Sequence, residues 1–283
     1  MSQGKLYICP TPIGNLDDIT IRTLNTLKEV DIIAAEDTRH TIKLLNHYNI
    51  KKTLTSYHEH NIKEKGPYLI NKMLDGLSIA LVSDAGMPGI SDPGEDLIKI
   101  AIENNIDITV LPGATALITA LVSSGLPTRR FVFEGFLSSK KKDRKKSLED
   151  LKMEKRTIIL YESPHRIKDL LKDIKEVLGD RKLVIARELT KKYEEIFRGN
   201  IDKCIERFQR ENPKGEFVII IEGLSEDKLK SINEEMWQDM TIKEHIKLYM
   251  DKGINKKVAI KKVSKERNIS KRDVYKESID IDA

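Results

Sequence analysis

The sequence predicts an α/β protein with two domains and a small, basic, helical C-terminal tail. Short apolar runs alternate with helically spaced segments along most of the chain, which is typical of sheets covered by helices. The stretch Gly125–Arg130 interrupts both periodicities and reads as a linker. Beyond residue 225 the chain becomes polar and then rich in lysine. We therefore place the domains at 1–125 and 126–224, and a linker and tail at 225–283.

Five apolar runs predict the strands of the first domain: Lys5–Cys9, Ile32–Ala35, Thr53–Ser56, Ile79–Val82 and Asp107–Leu111. Apolar spacing and capping residues predict helices between them, over about 20–30, 38–48, 68–74, 94–103 and 114–123. Because strands and helices alternate, we expect one parallel sheet.

The segment from Ser83 to Gly94 follows the fourth strand and contains three glycines and two prolines. This density excludes a helix or a strand, so the segment is predicted to be a shaped loop. Open α/β sheets bind ligands at such strand ends. Asp92, Pro93 and Glu95 add the signals of a helix start. We predict a binding edge here, and the alternative is a turn that only needs its glycines.

The second domain is also predicted to be α/β. Its predicted strands are Phe131–Phe136, Thr157–Tyr161, Leu183–Ala186, Glu195–Arg198 and Phe217–Ile221, with helices over about 164–177 and 201–210. After Gly223 we expect a polar linker, followed by two short amphipathic helices near 254–263 and 269–275. Such a pair resembles a helix-turn-helix unit.

Composition narrows the class of protein. The 283 residues are 39% hydrophobic and 34% charged, without an apolar run of the roughly 20 residues that a membrane span needs. With no signal-peptide pattern either, we expect a cytoplasmic protein. The two cysteines, Cys9 and Cys204, lie far apart and lack zinc-finger spacing, so neither disulfides nor a structural metal is expected. The absence of G-x-G-x-x-G after the first strand and of a P-loop argues against dinucleotide oxidoreductases and NTPases.

The net charge of +5 is concentrated in the run from Lys140 to Lys146 and in the tail. Clustering of this kind predicts an anionic partner, such as nucleic acid, although solvated loops and helix faces also carry such runs. We expect RNA to contact the basic run, the tail and His165. The other residues predicted to bind RNA are Lys140, Lys141, Lys142, Arg144, Lys145, Lys146 and Arg166.

Six motifs resemble those of the tetrapyrrole-methylase superfamily, in the same order and across nearly the whole chain. They are Pro10–Leu16, Ala35–Thr41, Tyr57–Asn61, Val82–Gly94, Leu111–Ala116 and Tyr161–Arg166. Within the superfamily, they are similar to the motifs of bacterial enzymes that methylate the 2′-hydroxyl of a cytidine in the decoding region of 16S ribosomal RNA. The resemblance implies a class III S-adenosylmethionine methyltransferase fold, a homodimer, and 16S rRNA or the small ribosomal subunit as partner.

The same resemblance implies that S-adenosyl-L-methionine binds in the cleft between the domains. The implied cofactor-binding residues are Ile13, Gly14, Asp84, Ala85, Gly86, Met87, Thr115, Ala116, Tyr161, Ala186, Leu189 and Gly215. Residues with little side-chain bulk let backbone groups reach a ligand, and Asp84 supplies a carboxylate for a cationic one. For Thr115 and Ala116, the alternative is simple helix packing.

Methylation of a ribose hydroxyl needs a base within hydrogen-bond reach of its proton. The candidates are Glu36, Asp37, His58, Glu59 and His60, with Arg39 orienting a carboxylate or holding a phosphate. Alternatively, Glu36, Asp37 and Arg39 form an ion pair that caps the next helix. The histidines at i and i+2 point to opposite sides of a strand and have no evident third ligand, so we expect no metal.

Two other functions are also compatible with the sequence. A methylase of small tetrapyrroles would share the fold and the cofactor, but the basic runs and the motifs around Glu36 and His58 favour RNA. A non-catalytic RNA-binding or ribosome-assembly factor would show a basic surface without a working cofactor cleft. For the tail, we expect a contribution to RNA affinity rather than to chemistry.

Overall fold

The computed structural model describes residues 3–210, 213–237 and 239–281. The chain divides into two compact units, the first formed by Met1–Leu151 with Arg156–Glu222, and the second by Lys152–Lys155 with Gly223–Ala283. The first unit contains two five-stranded sheets and the second contains helices. The boundaries predicted from the sequence, at 125 and 224, stay a prediction.

The first sheet is parallel throughout, as the alternation of strands and helices predicts. Its strands are β1 (Lys5–Ile8), β2 (Ile32–Ala35), β3 (Thr53–Ser56), β4 (Ile79–Val82) and β5 (Asp107–Val110), in the order β3-β2-β4-β1-β5. The helices between and after them are α1 (Ile21–Glu29), α2 (Thr38–His47), α3 (Ile62–Leu74), α4 (Gly94–Glu103) and α5 (Ala116–Ser124).

Burial explains why strands β2 and β4 can be recognised in the sequence as apolar runs. Strands β2 and β4 are buried at every position, because both faces of the sheet are covered. Since all five strands run in the same direction, the loops that follow them gather at one edge. A ligand site can therefore be assembled from these loops, and we call this edge of the sheet the loop edge.

The second sheet is mixed. Its strands are β6 (Phe131–Phe136), β7 (Thr157–Glu162), β8 (Lys182–Arg187), β9 (Glu195–Asn200) and β10 (Phe217–Ile221), in the order β6-β7-β10-β8-β9. Of its four pairings, the one between β6 and β7 is parallel and the others are antiparallel. The accompanying helices are α6 (Lys141–Asp150), α7 (Ile167–Leu178) and α8 (Ile201–Arg210).

The second unit corrects one prediction. The region predicted as a polar linker forms α9 (Glu226–Trp237) and α10 (Ile242–Asp251). Helix α10 starts with a capping box: Thr241 Oγ1 accepts from the Glu244 N–H at 3.2 Å, and Glu244 Oε2 accepts from the Thr241 N–H at 2.8 Å. The two predicted tail helices are present as α11 (Lys256–Glu266) and α12 (Lys271–Glu277).

A buried histidine lies at the centre of the second unit. The His245 side chain is 1% exposed and its ring stacks on Trp237 and Tyr249. Its Nδ1 accepts from Arg267 Nε at 3.1 Å, and its Nε2 lies 3.2 Å from Glu266 Oε2. Burial lowers the pKa of His245, and the Glu266 carboxylate offsets this only in part.

We expect the second unit to lose stability in mild acid. Unfolded histidine binds a proton near pH 6.5, above the lowered native pKa of His245, so stability falls as the pH drops below that value. Urea unfolding followed by the fluorescence of Trp237, the single tryptophan of the chain, measures this unit directly. The urea concentration at the midpoint of unfolding should be lower at pH 5 than at pH 8. The variant His245→Gln should lose the part of this pH dependence that comes from His245. If the midpoint changed equally with pH in both proteins, His245 would not be its source.

Candidate functional site

A cavity of about 410 Å³ lies at the loop edge of the first sheet and extends to the second sheet of the same unit. We call it the acidic cavity. From the first sheet it is lined by Ile13, Glu36, Ser83–Met87, Ile90–Asp92, Thr115 and Ala116. From the second it is lined by Phe136, Tyr161–Pro164, Ala186, Leu189 and Glu216–Val218. Its size lies within the range of small-molecule sites.

Backbone pairing fixes the loops that form one wall. Thr11 and Gly86 exchange hydrogen bonds, with N···O distances of 2.9 and 3.0 Å, so the loops after β1 and β4 are joined. The Asp92 carboxylate accepts from the N–H groups of Gly89 and Gly94 at 2.9 and 2.8 Å. Asp92 therefore shapes the glycine-rich loop from just before α4, whose N-cap position is Pro93.

Gly14 lies where the loop after β1 meets the segment after β8. A Cβ on Gly14 would lie 2.7 Å from the Leu189 carbonyl oxygen and 2.6 Å from Thr190 Oγ1, so no other residue fits without movement. The Thr190 hydroxyl also accepts from the Asn15 N–H at 2.9 Å. The glycine thus permits a close approach of backbone from the two halves of the cavity wall.

Two acidic residues, Glu36 and Asp84, follow the adjacent strands β2 and β4 and lie close together at the end of the first sheet. Asp84 Oδ1 accepts from the Asp37 N–H at 3.0 Å, and Asp84 Oδ2 lies 3.5 Å from His40 Nδ1. The Glu36 carboxylate lies 3.5 Å from the Asp84 N–H. Burial, followed by the negative charge of Asp84, raises the pKa of Glu36. Glu36 is therefore a better proton acceptor than a fully solvated glutamate.

Tyr161 forms part of the opposite wall. Its hydroxyl accepts from the Leu117 N–H at 3.1 Å, which satisfies a free backbone donor in the first turn of α5. The ring packs against Phe133 and Phe136, with centroids 4.9 and 5.5 Å away. Burial raises the pKa of Tyr161 to about 12, so its phenol stays protonated at neutral pH and does not serve as a base.

Glu162 is a site residue that the sequence patterns do not single out. It is 1% exposed, and its Oε1 accepts from the Ser163 N–H at 2.7 Å and lies 3.2 Å from Arg166 Nε. Its Oε2 has no hydrogen-bond partner among the described residues, although Glu162 lines the cavity. A buried carboxylate oxygen left unpaired beside a cavity is a natural acceptor for a ligand's N–H or O–H group. The sequence feature that could have identified Glu162 is its position within the motif Tyr161–Arg166.

The predicted cofactor residues converge on this cavity. All of them line it except Gly14, which supports the wall from behind, and Gly215, which lines a neighbouring cavity. Thr115 and Ala116 face the cavity at the start of α5, with Thr115 as the N-cap residue.

The predicted catalytic residues separate into two groups. Glu36 lines the cavity, whereas Asp37 and Arg39 pair with each other at the start of α2, with a 2.6 Å distance from Arg39 Nη2 to Asp37 Oδ2. This is the helix-capping alternative for those two residues, since Asp37 also accepts from the Arg39 N–H. The other candidates, which do not line the cavity, are His58, Glu59 and His60. The ring of His58 lies 3.3 Å from Asn61 Nδ2.

The predicted RNA-binding residues also separate. Arg144 is buried and its Nη2 lies 2.7 Å from Asp173 Oδ2, while Lys145 pairs with Glu176. The Arg166 guanidinium is directed at Glu162 and the Leu137 carbonyl. The exposed lysines of this set are Lys140, Lys141, Lys142 and Lys146.

Two kinds of feature are absent from the described part of the chain. Across residues 3–210, 213–237 and 239–281, no group of three or more His, Cys, Asp or Glu side chains is arranged to hold a metal ion. No helix within these same ranges is long and apolar enough to cross a membrane.

Comparison with known proteins relates the chain to one protein family and to relatives that share one name. The profile of the tetrapyrrole (corrin/porphyrin) methylases matches residues 5–204. A Halalkalibacterium halodurans protein named ribosomal RNA small subunit methyltransferase I is 50% identical over 273 residues, 96% of this chain and 94% of its own. The Bacillus subtilis protein of the same name is 48% identical over 272 residues, 96% of this chain and 93% of its own.

Solved structures share the fold at lower identity. The methyltransferase CobJ superposes with a TM-score of 0.60 and 18% identity, over 78% of this chain and 94% of that one. Uroporphyrin-III C-methyl transferase from Thermus thermophilus, complexed with S-adenyl homocysteine, superposes with a TM-score of 0.55 and 16% identity. That match covers 77% of this chain and 97% of the Thermus chain.

Proposed function

Because the chain belongs to the tetrapyrrole (corrin/porphyrin) methylase family, we propose that it transfers a methyl group from S-adenosylmethionine to the RNA of the small ribosomal subunit. The acceptor that we propose is the ribose 2′-hydroxyl of a cytidine in the decoding region. The observation that carries the proposal is the acidic cavity, which is large enough for the cofactor and is lined by residues of the motifs that resemble the family. The relatives that match nearly the whole chain are named for the RNA of the small ribosomal subunit.

The lining of the cavity suits the cofactor in charge and in apolar surface. Among the described residues, five acidic ones line it and no lysine, arginine or histidine does, which suits a ligand with a positively charged sulfur. Ile13, Ala186 and Leu189 supply apolar surface for an adenine ring. The unpaired Oε2 of Glu162 offers an acceptor for a ligand donor. When bound, S-adenosylmethionine supplies an electrophilic methyl group.

Glu36 is the residue that we assign as general base. It lines the cavity as a carboxylate of raised pKa, which favours proton abstraction from a hydroxyl near neutral pH. Asp84 stays fixed by the Asp37 N–H and His40, so it raises the basicity of Glu36 and adds negative charge. The hydroxyl proton passes to Glu36 while the loops hold the reacting groups in line.

A methylase of small tetrapyrroles is the main competing function, because the solved structures that share the fold include such enzymes. Parallel assays with radiolabelled S-adenosylmethionine separate the two. We expect label in small ribosomal subunits that lack this modification, and none in a reduced porphyrin acceptor. Transfer to the porphyrin alone would replace the proposal. The same assay on naked 16S RNA tells whether the assembled subunit is required.

The exposed lysines of the second unit are expected to add RNA affinity without affecting the cofactor. The helices α11 and α12 expose Lys257, Lys261 and Lys271. Changing all three to glutamate should weaken binding to ribosomal subunits and flatten its salt dependence, because each lost phosphate contact removes about one unit of slope. Calorimetry should give unchanged cofactor affinity. A loss of cofactor binding would show that the second unit serves the cofactor cavity instead.

We also propose that the chain acts in the cytoplasm, where ribosomal subunits are assembled, and that it acts as a homodimer. The dimer rests on the family resemblance. The apolar side chains of Ile118 and Val122 on α5 are exposed, which leaves surface that a second copy can cover. Light scattering coupled to size exclusion measures the mass, and a monomer at micromolar concentration would contradict this part of the proposal.

A further inference from the structure

A second cavity, of about 500 Å³, adjoins the acidic cavity. We call it the basic cavity. It is lined by Pro164, His165, Lys168, Pro213, Lys214 and Gly215. Pro164 lines both cavities, and Gly215 precedes Glu216, which lines the acidic one. The two cavities therefore share a wall.

The lining of the basic cavity is suited to an anion. Lys168 and Lys214 both face it, and neither forms an ion pair with another residue in the described part of the chain. None of the described residues that line it is acidic. Like charges gathered around a concave surface without a counter-ion cost energy, which a bound anion relieves. Lys168 also lies in the first turn of the 12-residue helix α7, where the helix dipole favours negative charge.

The backbone around the basic cavity is held in place. Arg187 Nε donates to the Lys214 carbonyl at 2.7 Å, and Gly215 adopts a positive φ of 88°. The positive φ favours glycine in this turn, and a Cβ there would also lie 2.5 Å from Glu188 Cδ. Lys214 is thus presented by a tight, anchored turn beside the start of α7.

We propose that the basic cavity binds a backbone phosphate of the RNA next to the nucleotide that is methylated. This inference rests on the proposed function and names the part of the substrate that this site recognises. A nucleotide whose ribose enters the acidic cavity brings its flanking phosphates to the shared wall, where the charge of the lining changes sign. Phosphate contacts set register rather than sequence, so the basic cavity positions the ribose for reaction.

The test compares two lysines of the same helix. Lys168→Ala removes a charge from the basic cavity, whereas Lys172→Ala removes the same charge from an exposed position one turn later. We expect Lys168→Ala, and likewise Lys214→Ala, to raise the KM for small ribosomal subunits about tenfold and to reduce the salt slope of binding by about one unit. Lys172→Ala should change neither, and calorimetric affinity for S-adenosylmethionine should stay the same in all variants.

The outcomes separate this inference from the proposed function. If the wild-type protein methylates the subunits and Lys168→Ala behaves like Lys172→Ala, the phosphate site is overturned while the function stands. Loss of cofactor affinity in Lys168→Ala or Lys214→Ala would also overturn it, because the basic cavity would then belong to the cofactor site. If the wild-type protein transfers no methyl group to RNA, the proposed function itself fails.

Discussion

Replacing Glu36 with glutamine is expected to lower kcat for RNA methylation by about 10²- to 10⁴-fold, the usual contribution of a general base. The amide keeps the size of the side chain but cannot accept the hydroxyl proton. Cofactor binding should persist, because the loops after β1 and β4 remain joined through Thr11 and Gly86. Single-turnover methylation and calorimetry with S-adenosylmethionine measure the two effects separately.

The pH dependence provides a second readout for Glu36. The active form is the carboxylate, whose pKa is raised by burial and by Asp84. Wild-type kcat should therefore fall as the pH drops through the raised pKa of Glu36. The Glu36→Gln variant should not show this decrease. Glu59→Gln is the matched control, since Glu59 does not line the cavity. Equal kcat in the Glu36 and Glu59 variants would remove Glu36 from the mechanism.

Replacing Gly14 with alanine is expected to weaken cofactor binding about tenfold or more. The new Cβ would lie 2.7 Å from the Leu189 carbonyl oxygen, and a backbone atom cannot rotate away. The clash is removed only if the loop after β1 and the segment after β8 move apart. Overpacking of this kind costs about 1–3 kcal/mol. Calorimetric titration with S-adenosylmethionine measures the loss, and thermal unfolding reports how much of it reflects stability.

Gly66→Ala is the control for this substitution. Gly66 lies in α3, and a methyl group added there would have Ile100 Cδ1, the end of a flexible side chain, as its nearest neighbour at 3.1 Å. Alanine favours a helix over glycine by about 0.5–1 kcal/mol, so stability should be kept and the cofactor affinity unchanged. A Gly14→Ala protein that binds the cofactor like wild type would show that the close approach has no bearing on the cavity.

Two of the strands, β2 and β4, were predictable because they are buried at every position. Both are covered on each face of the sheet and therefore appear in the sequence as unbroken apolar runs, whose four-residue length favours a strand over a helix. Helix α6 was not predicted as a separate element, because part of its buried face is Arg144, whose charge is neutralised by Asp173. In the sequence this arginine is indistinguishable from the exposed lysines around it.

The candidate site was predictable in part. The motifs marked the loops that line the acidic cavity, since glycine and proline record backbone shape. They did not separate Glu36 from Asp37, because adjacent carboxylates differ only in where the fold directs them. Glu162 was missed for a related reason: its unpaired oxygen is visible only when its neighbours are in place. Helix α10 could have been predicted from its capping box.

The most direct measurement is the identity of the methylated nucleoside. Small ribosomal subunits lacking the modification are incubated with the protein and radiolabelled S-adenosylmethionine, and the RNA is then digested completely to nucleosides. We predict that the label co-migrates with 2′-O-methylcytidine. Label in a base-methylated nucleoside, or a protein that binds the cofactor but leaves the RNA unlabelled, would contradict the proposed function.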